Sequence, residues 1–226
     1  MDISRSTNIV TVIYPLIRMT DAKSHWESIY KTKSSKDVSW YAPHLAKSLH
    51  IIRSLGLRKD AEIIDVGGGA STLPDDLLSE GYENITALDI ASEAFKVSKD
   101  RLGGKAHRVR WLEADVTSTA FQSNHYDLWH DRAVFHFLTN AEDRQKYVLN
   151  ANQALKPGGY ALIATFGPNG PLKCSGLEIV RYSAKSLRRE LGNSFQLERH
   201  FIEIHKTPFD TTQEFLYCLF RKQPRD

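Results

Sequence analysis

Two groups of residues in the 226-residue chain have the types and spacing for chemistry. The first is Asp65 followed by Gly67, Gly68 and Gly69, with Asp89 20 residues beyond Gly69. A missing Cβ permits positive φ and lets a ligand approach the backbone closely. An acid at the end of the following strand can accept both hydroxyls of a ribose. Together they point to a nucleoside, against the plainer alternative of a tight turn with no ligand. The dinucleotide pattern G-x-G-x-x-G would need a third glycine where Thr72 stands, and no Gly-Lys-Ser/Thr of a phosphate loop follows. The shorter Asp-x-Gly-x-Gly suits a ligand without phosphates. The second group is His130, Asp131, Arg132 and His136, four ionisable side chains within seven positions. Asp131 or His136 could take a proton from an acceptor, Asp131 could attract an ammonium, and Arg132 could orient Asp131. The alternative for Asp131 and Arg132 is to cap the turn that follows, and for His136, beside Phe137 and Leu138, to pack.

These groups need strands to carry them. Strands over 61–66, 85–90, 109–115, 126–131 and 160–166 alternate with helices over 73–80, 92–102 and 141–155. That alternation predicts a parallel sheet with helices on both faces. The segment "KPGG" (156–159) is a stop signal before the last of these strands. Two helices precede the pattern, 22–32 and 43–56, with Leu45, Leu49, Ile52 and Leu55 at helical spacing and Gly56 as a C-cap. A helix over 183–191 opens at Ser183. The chain then runs through 195–206 and 213–222, two strands joined by too few residues for a crossover and therefore antiparallel. Ligands of open α/β sheets sit outside the carboxyl ends of the strands, where both groups fall.

The totals narrow the class. Hydrophobic residues make up 41% and charged residues 25%, which suits one globular domain. A net charge of +3 from 30 basic and 27 acidic residues, without a long basic run, does not favour nucleic acid as the partner. The two cysteines, Cys174 and Cys218, are far apart and form no C-x-x-C, which fits a reducing compartment. The nine histidines form no metal-ligand spacing, so no metal is expected. The apolar stretch 9–17 is short for a bilayer and is broken by Pro15. It lacks a basic flank and a small-residue cleavage site, and reads as an arm or lid on the domain. The expected location is the cytoplasm, with no membrane partner.

The motifs "EIIDVGGGAS", "ITALDI", "LEADV", "YDLWHDRAVFHFL" and "LKPGGYALIATF" occur in this order over residues 40–222. In order and spacing the chain resembles the seven-stranded, class I S-adenosylmethionine-dependent methyltransferases, and the terminal antiparallel hairpin is theirs too. The resemblance implies a Rossmann-like, mostly parallel seven-stranded sheet, with residues 1–226 as a single domain and 1–42 as a cap over the site. It implies S-adenosylmethionine as cofactor. Asp65, Gly67, Gly68 and Gly69 would hold its methionine end, Asp89 the ribose, Ile90 the adenine face, and Asp115 with the Val116 backbone the adenine edge. His130 would lie beside the transferable methyl. The first motif departs from the commoner form by placing Ser71 where a third glycine stands.

The acceptor side is less defined. The 130–136 loop is similar to "WDRG" loops of thiopurine S-methyltransferase-like enzymes and to "DKGT" loops of lysine methyltransferases acting on elongation factor or citrate synthase. The opening "HWESIYKTK…VSWYAP" (25–43) is similar to the latter. The Asn-Pro-Pro-aromatic motif of amide and base methylation is absent; "HDRA" occupies its place. Trp26 and Tyr30 share a helix face, and Trp40 and Tyr41 are expected near the acceptor. The linker 167–182 is long for its place and is expected over the pocket, where Arg181 and Tyr182 could line it. Cys174 within it reads as a plain loop thiol rather than a contact. The expected reaction moves a methyl group to nitrogen or sulfur of a small molecule or a protein lysine. The competing readings are a nicotinamide-dependent oxidoreductase and a cofactor-binding protein without turnover.

Overall fold

A computed structural model describes residues 19–34 and 37–224. The apolar stretch 9–17 lies outside them. In chain order the elements are α1 (Met19–Thr32), α2 (Ala46–Ser54), β1 (Glu62–Val66), α3 (Leu73–Ser79), β2 (Asn84–Asp89), α4 (Ser92–Leu102), β3 (Val109–Glu113), β4 (Tyr126–Arg132), α5 (Ala141–Ala154), β5 (Leu155–Phe166), β6 (Lys173–Cys174), β7 (Leu177–Glu178), α6 (Ala184–Leu191), β8 (Phe195–Lys206) and β9 (Thr212–Lys222).

Seven strands form one sheet in the order β3-β2-β1-β4-β5-β9-β8, with β6 and β7 as a separate hairpin. The pairs from β3 through β5 are parallel, and β9 runs antiparallel to both β5 and β8. The central strands are apolar nearly throughout because both faces are covered. One core gathers Leu49, Ile52, Ile63, Leu77, Leu128 and Tyr217 on the α2–α3 face. The other gathers Ile64, Val66, Trp129, Tyr147, Leu187 and Leu216 on the α5–α6 face. Alternation along β4 therefore sends His130 to the first face and Asp131 to the second.

Local chemistry explains most boundaries. Gly56 takes φ 63° just past α2, as its C-cap reading requires. Asn140 Oδ1 accepts the Glu142 N–H to start α5. Ser183 and Ser186 form a reciprocal capping box at α6.

Three boundaries differ from the sequence reading. β5 begins at Leu155 and so includes "KPGG": Leu155 pairs with Tyr126 and the register then shifts through a bulge, with Gly158 at φ 78°. β3 stops at Glu113, because Asp115 turns the chain by accepting from Thr117 N and Oγ1, each at 2.7 Å. The linker 167–182, long for its place, carries a short hairpin. Ser175 and Gly176, at φ 50° and 79°, make the two-residue turn of the β6–β7 hairpin.

Candidate active site

β1 ends and the glycine turn begins at the switch point of the sheet, where β1 is flanked by β2 and β4. Gly67 takes φ 71°, and a Cβ there would collide with the Val134 side chain. A Cβ on Gly69 would lie 2.6 Å from Asp89 Oδ2, and one on Gly68 would lie 2.7 Å from the Asp65 carbonyl and carboxylate. All three glycines are therefore needed for the turn to nest between the two acids. Asp89 is 6% exposed; its Oδ2 accepts from Gly69 N at 3.1 Å and its Oδ1 from Ala91 N at 2.9 Å. Burial pushes its pKa up to about 6, against the opposing pull of those two amides. Ser71 keeps the turn closed, since its Oγ accepts from Leu73 N at 3.1 Å at the start of α3. Ile90 is half-buried just past β2, Asp115 sits in its Asx turn, and Val116 buries its side chain while its carbonyl accepts from Asn150.

Asp65 and His130 are register partners on adjacent strands. His130 Nδ1 meets Asp65 Oδ1 at 2.6 Å and Nε2 meets Ser48 Oγ at 2.9 Å. The connectivity is that of an Asp-His-Ser triad, but Ser48 and His130 are both 0% exposed, so no acyl group reaches the hydroxyl. The chain of bonds locks α2 to the sheet under the turn. It leaves Asp65 Oδ2 buried without a partner.

The end of β4 separates its ionisable residues. Asp131 is 0% exposed and faces α5: Oδ1 accepts from Val134 N at 2.9 Å, and Oδ2 from Phe135 N at 3.1 Å and Tyr147 Oη at 2.6 Å. Its pKa is raised to about 6, chiefly by burial. The carboxylate thus caps the turn that follows, the plainest of its three expected roles. His136 is 0% exposed as well; Nδ1 accepts from Phe166 N at 3.1 Å and the ring lies 4.6 Å from that of Phe166. Burial, aided by Arg132, lowers its pKa to about 3, so it stays neutral. Arg132 instead reaches the α2 face, donating from Nε to Tyr217 Oη at 3.1 Å and from Nη1 to the Trp40 carbonyl at 2.9 Å. The turn itself is held at Ala133 with φ 75°, a conformation that costs a non-glycine residue about 1–2 kcal/mol. That places Val134 against Gly67.

Residues 64–163 match the family described as "Methyltransferase domain". That stretch runs from β1 to β5 and is the part of the chain that resembles a methyltransferase domain. The chain is 30% identical over 132 residues to malonyl-(acyl-carrier protein) O-methyltransferase of Paenibacillus sp. (strain JDR-2), covering 57% of this chain and 47% of that one. It is 23% identical over 155 residues to the eEF1A lysine and N-terminal methyltransferase of Bos taurus, covering 66% of this chain and 22% of that one. The matched stretch thus spans about half of the first relative and about a fifth of the second. Among solved structures, 1,6-didemethyltoxoflavin-N1-methyltransferase of Burkholderia thailandensis, with bound 1,6-didemethyltoxoflavin and S-adenosylhomocysteine, matches at TM-score 0.67 and 17% identity over 94% of each chain. That is a likeness of fold. The residues present fit the cofactor: a glycine cradle with no room for a Cβ, a buried acid with a raised pKa beside it, and an orphaned Asp65 oxygen.

Further side chains gather beside this turn. α1 is fastened to α4 by Glu27, whose Oε1 accepts from Ser92 N at 2.8 Å and whose Oε2 accepts from Glu93 N at 3.3 Å. A second tie joins Lys23 to Glu113. Glu27 thus caps a helix N-terminus from another element, a role no local pattern signals. The fastening brings Tyr30 near Asp89: burial first, then Asp89, raises the Tyr30 pKa well above its ordinary value. Trp26 packs edge-on against Trp40 at 5.8 Å and Phe137 at 5.1 Å. Tyr41 lines a cavity with Arg132. Tyr182 is not brought to this group; it is 2% exposed, packs on Phe135 at 5.5 Å in the α5–α6 core, and so faces no acceptor. Cys174 is 5% exposed, and burial pushes its thiol up to about 11. Arg181 donates to the Gly170 carbonyl at 3.2 Å, holding the linker on itself. No helix among the described residues is long and apolar enough to cross a membrane.

Replacing Glu27 with alanine should free α1 from α4. Loss of a cap is worth about 0.5–2 kcal/mol. Hydrogen exchange over residues 22–32 should accelerate about tenfold, at 1.4 kcal/mol per decade, with little change in β1 and β4. Equal acceleration throughout the sheet would mean that Glu27 supports the whole domain.

Proposed function

We propose that this chain transfers a methyl group from S-adenosylmethionine to a nitrogen or sulfur nucleophile of a small molecule or a protein lysine. The observation that carries the reading is the turn Gly67–Gly69 bonded directly to Asp89 at the sheet's switch point. On this reading Asp89 accepts the ribose hydroxyls, Asp65 Oδ2 accepts from the ammonium of the methionine end, and Ile90, Asp115 and Val116 bound the adenine. When bound, S-adenosylmethionine would supply a sulfonium-activated methyl carbon to the acceptor's lone pair, the S–C electron pair staying on sulfur and the acceptor's proton passing to solvent.

The chain's own contribution is alignment and exclusion of water. His130, held at both ring nitrogens, fixes Asp65. Asp131 and His136 are committed to the β4–α5 turn and to Phe166. Residues 19–34 and 37–42 act as the cap, with Trp26 and Trp40 as its apolar lining and Trp26 packed on Phe137. A covered site of this kind supports a small acceptor. The likeness to a eukaryotic lysine and N-terminal methyltransferase supports a protein acceptor as the second reading. Two buried, unbridged cysteines support a cytoplasmic setting.

The test is an acceptor screen. Pure protein is incubated with methyl-labelled S-adenosylmethionine and cell extract divided into protein and small-molecule fractions. Label in the small-molecule fraction is the expected result, and label in a protein band would establish the second reading. No label in either fraction, with S-adenosylmethionine bound, would leave a binding protein without turnover.

A further inference from the structure

A cavity of about 190 Å³ opens between residues 41–46 and strand β8, and Arg132, Glu203, Tyr217 and His205 line it. Its two charged interior groups are unlike the chain's other ions. Glu203 Oε2 is buried with no hydrogen-bond partner, and the Tyr217 hydroxyl stands between the Glu203 carboxylate and Arg132. Arg132 bonds only neutral oxygens, those of Tyr217 and Trp40, and lies 4.4 Å over the Phe215 ring. Opposite charges in one cavity ordinarily pair, yet neither forms an ion pair with any described residue. The rim groups are already partnered: Lys206 pairs with Asp210 at 2.9 Å, and His44 Nδ1 meets Asp76 Oδ1 at 2.7 Å. His205 donates from Nε2 to the Ser39 carbonyl at 2.9 Å and is held neutral by burial, its pKa lowered.

A buried carboxylate oxygen without a donor costs free energy, and a guanidinium presents a planar fork suited to a carboxylate. We propose that the cavity between residues 41–46 and β8 binds a zwitterionic, amino-acid-like head group, with its ammonium on Glu203 and its carboxylate on Arg132. The volume suffices, since a water molecule's share of liquid is roughly 30 Å³, and such a head group needs a few times that. Arg132 follows His130 by two residues on the same face of β4. The head group therefore sits beside the methyl-transfer site and belongs to the acceptor. Only this last step rests on the methyltransferase reading; the binding itself does not.

The test uses L-alanine as probe, with n-propylamine and propionate as its single-charge analogues, on the whole chain loaded with S-adenosylhomocysteine. Saturation-transfer NMR should show L-alanine binding at least tenfold more tightly than either analogue. Glu203→Gln should lose at least tenfold in that affinity and Glu203→Asp should retain most of it, with S-adenosylhomocysteine affinity unchanged in both. Absence of alanine binding, equal binding of the three probes, or an unaltered Glu203→Gln would overturn the proposal. Failure of S-adenosylhomocysteine to bind the unaltered protein would strike the methyltransferase reading instead, and the alanine titration without it would still decide the cavity.

Discussion

Replacing Asp89 with alanine should weaken S-adenosylmethionine binding at least tenfold in titration calorimetry. Two ribose hydroxyls would lose a buried acceptor, and the Gly69 and Ala91 amides would lose their anchor. The same carboxylate sets a pH dependence. In the empty protein its pKa is raised to about 6, so below that pH it is protonated. Accepting two hydroxyls requires the charged form, so binding must expel the proton. Affinity should therefore be about tenfold weaker at pH 5 than at pH 7.5, one pH unit below the pKa costing one decade. Titrations near pH 6 in two buffers of different ionisation enthalpy should show proton release. Asp89→Asn should bind weakly and without this pH dependence. Full affinity in Asp89→Ala would remove Asp89 from the cofactor site.

The second large effect is on stability. Asp131→Ala would leave the Val134 and Phe135 amides and the Tyr147 hydroxyl without their buried acceptor, a loss of about 3–5 kcal/mol in urea unfolding. Asp131→Asn keeps an acceptor oxygen, so it should fold and retain methyl transfer within about threefold. A general base would instead contribute roughly 10²–10⁴-fold, so a drop of that size in kcat with an unchanged unfolding midpoint would restore Asp131 as the base. The pH profile gives a further reading. Asp131 in the native state holds its proton to about pH 6, above the unfolded value of 3.8. The native state binds more protons in that window, so this group's contribution to stability falls as pH rises from about 4 to 6. Asp131→Asn should remove that slope. His136 acts the other way: its native pKa of about 3 lies below the ordinary 6.5, so its contribution is full above pH 6.5 and is lost as pH falls towards 3.

The strand-helix alternation was legible because hydrophobic period and glycine punctuation are local, and so were the turn at Gly67–Gly69 and Asp89 at the end of β2. Those features depend on neighbours a few residues apart and on a sheet architecture with few alternatives. What the β4 loop does was not legible. His130, Asp131, Arg132 and His136 are adjacent in sequence, yet strand alternation and the turn at Ala133 send them to opposite faces and different partners. Tyr182 was expected at the pocket because its linker follows β5. The linker folds back along the 135–137 turn, with Val180 N bonded to the His136 carbonyl, and buries the ring under α6. Glu27 on α4, Ser48 on His130, and Glu203 across a cavity from Arg132 bring together residues 65, 82 and 71 positions apart, and no spacing rule reaches that far. The sequence by itself determined the architecture and the place of the glycine turn beside Asp89, since both follow from local period and backbone bareness. Only the tertiary structure decided which ionisable groups are spent on holding the turn and which keep an open oxygen. That depends on which face each side chain lands on and what distant segment meets it there.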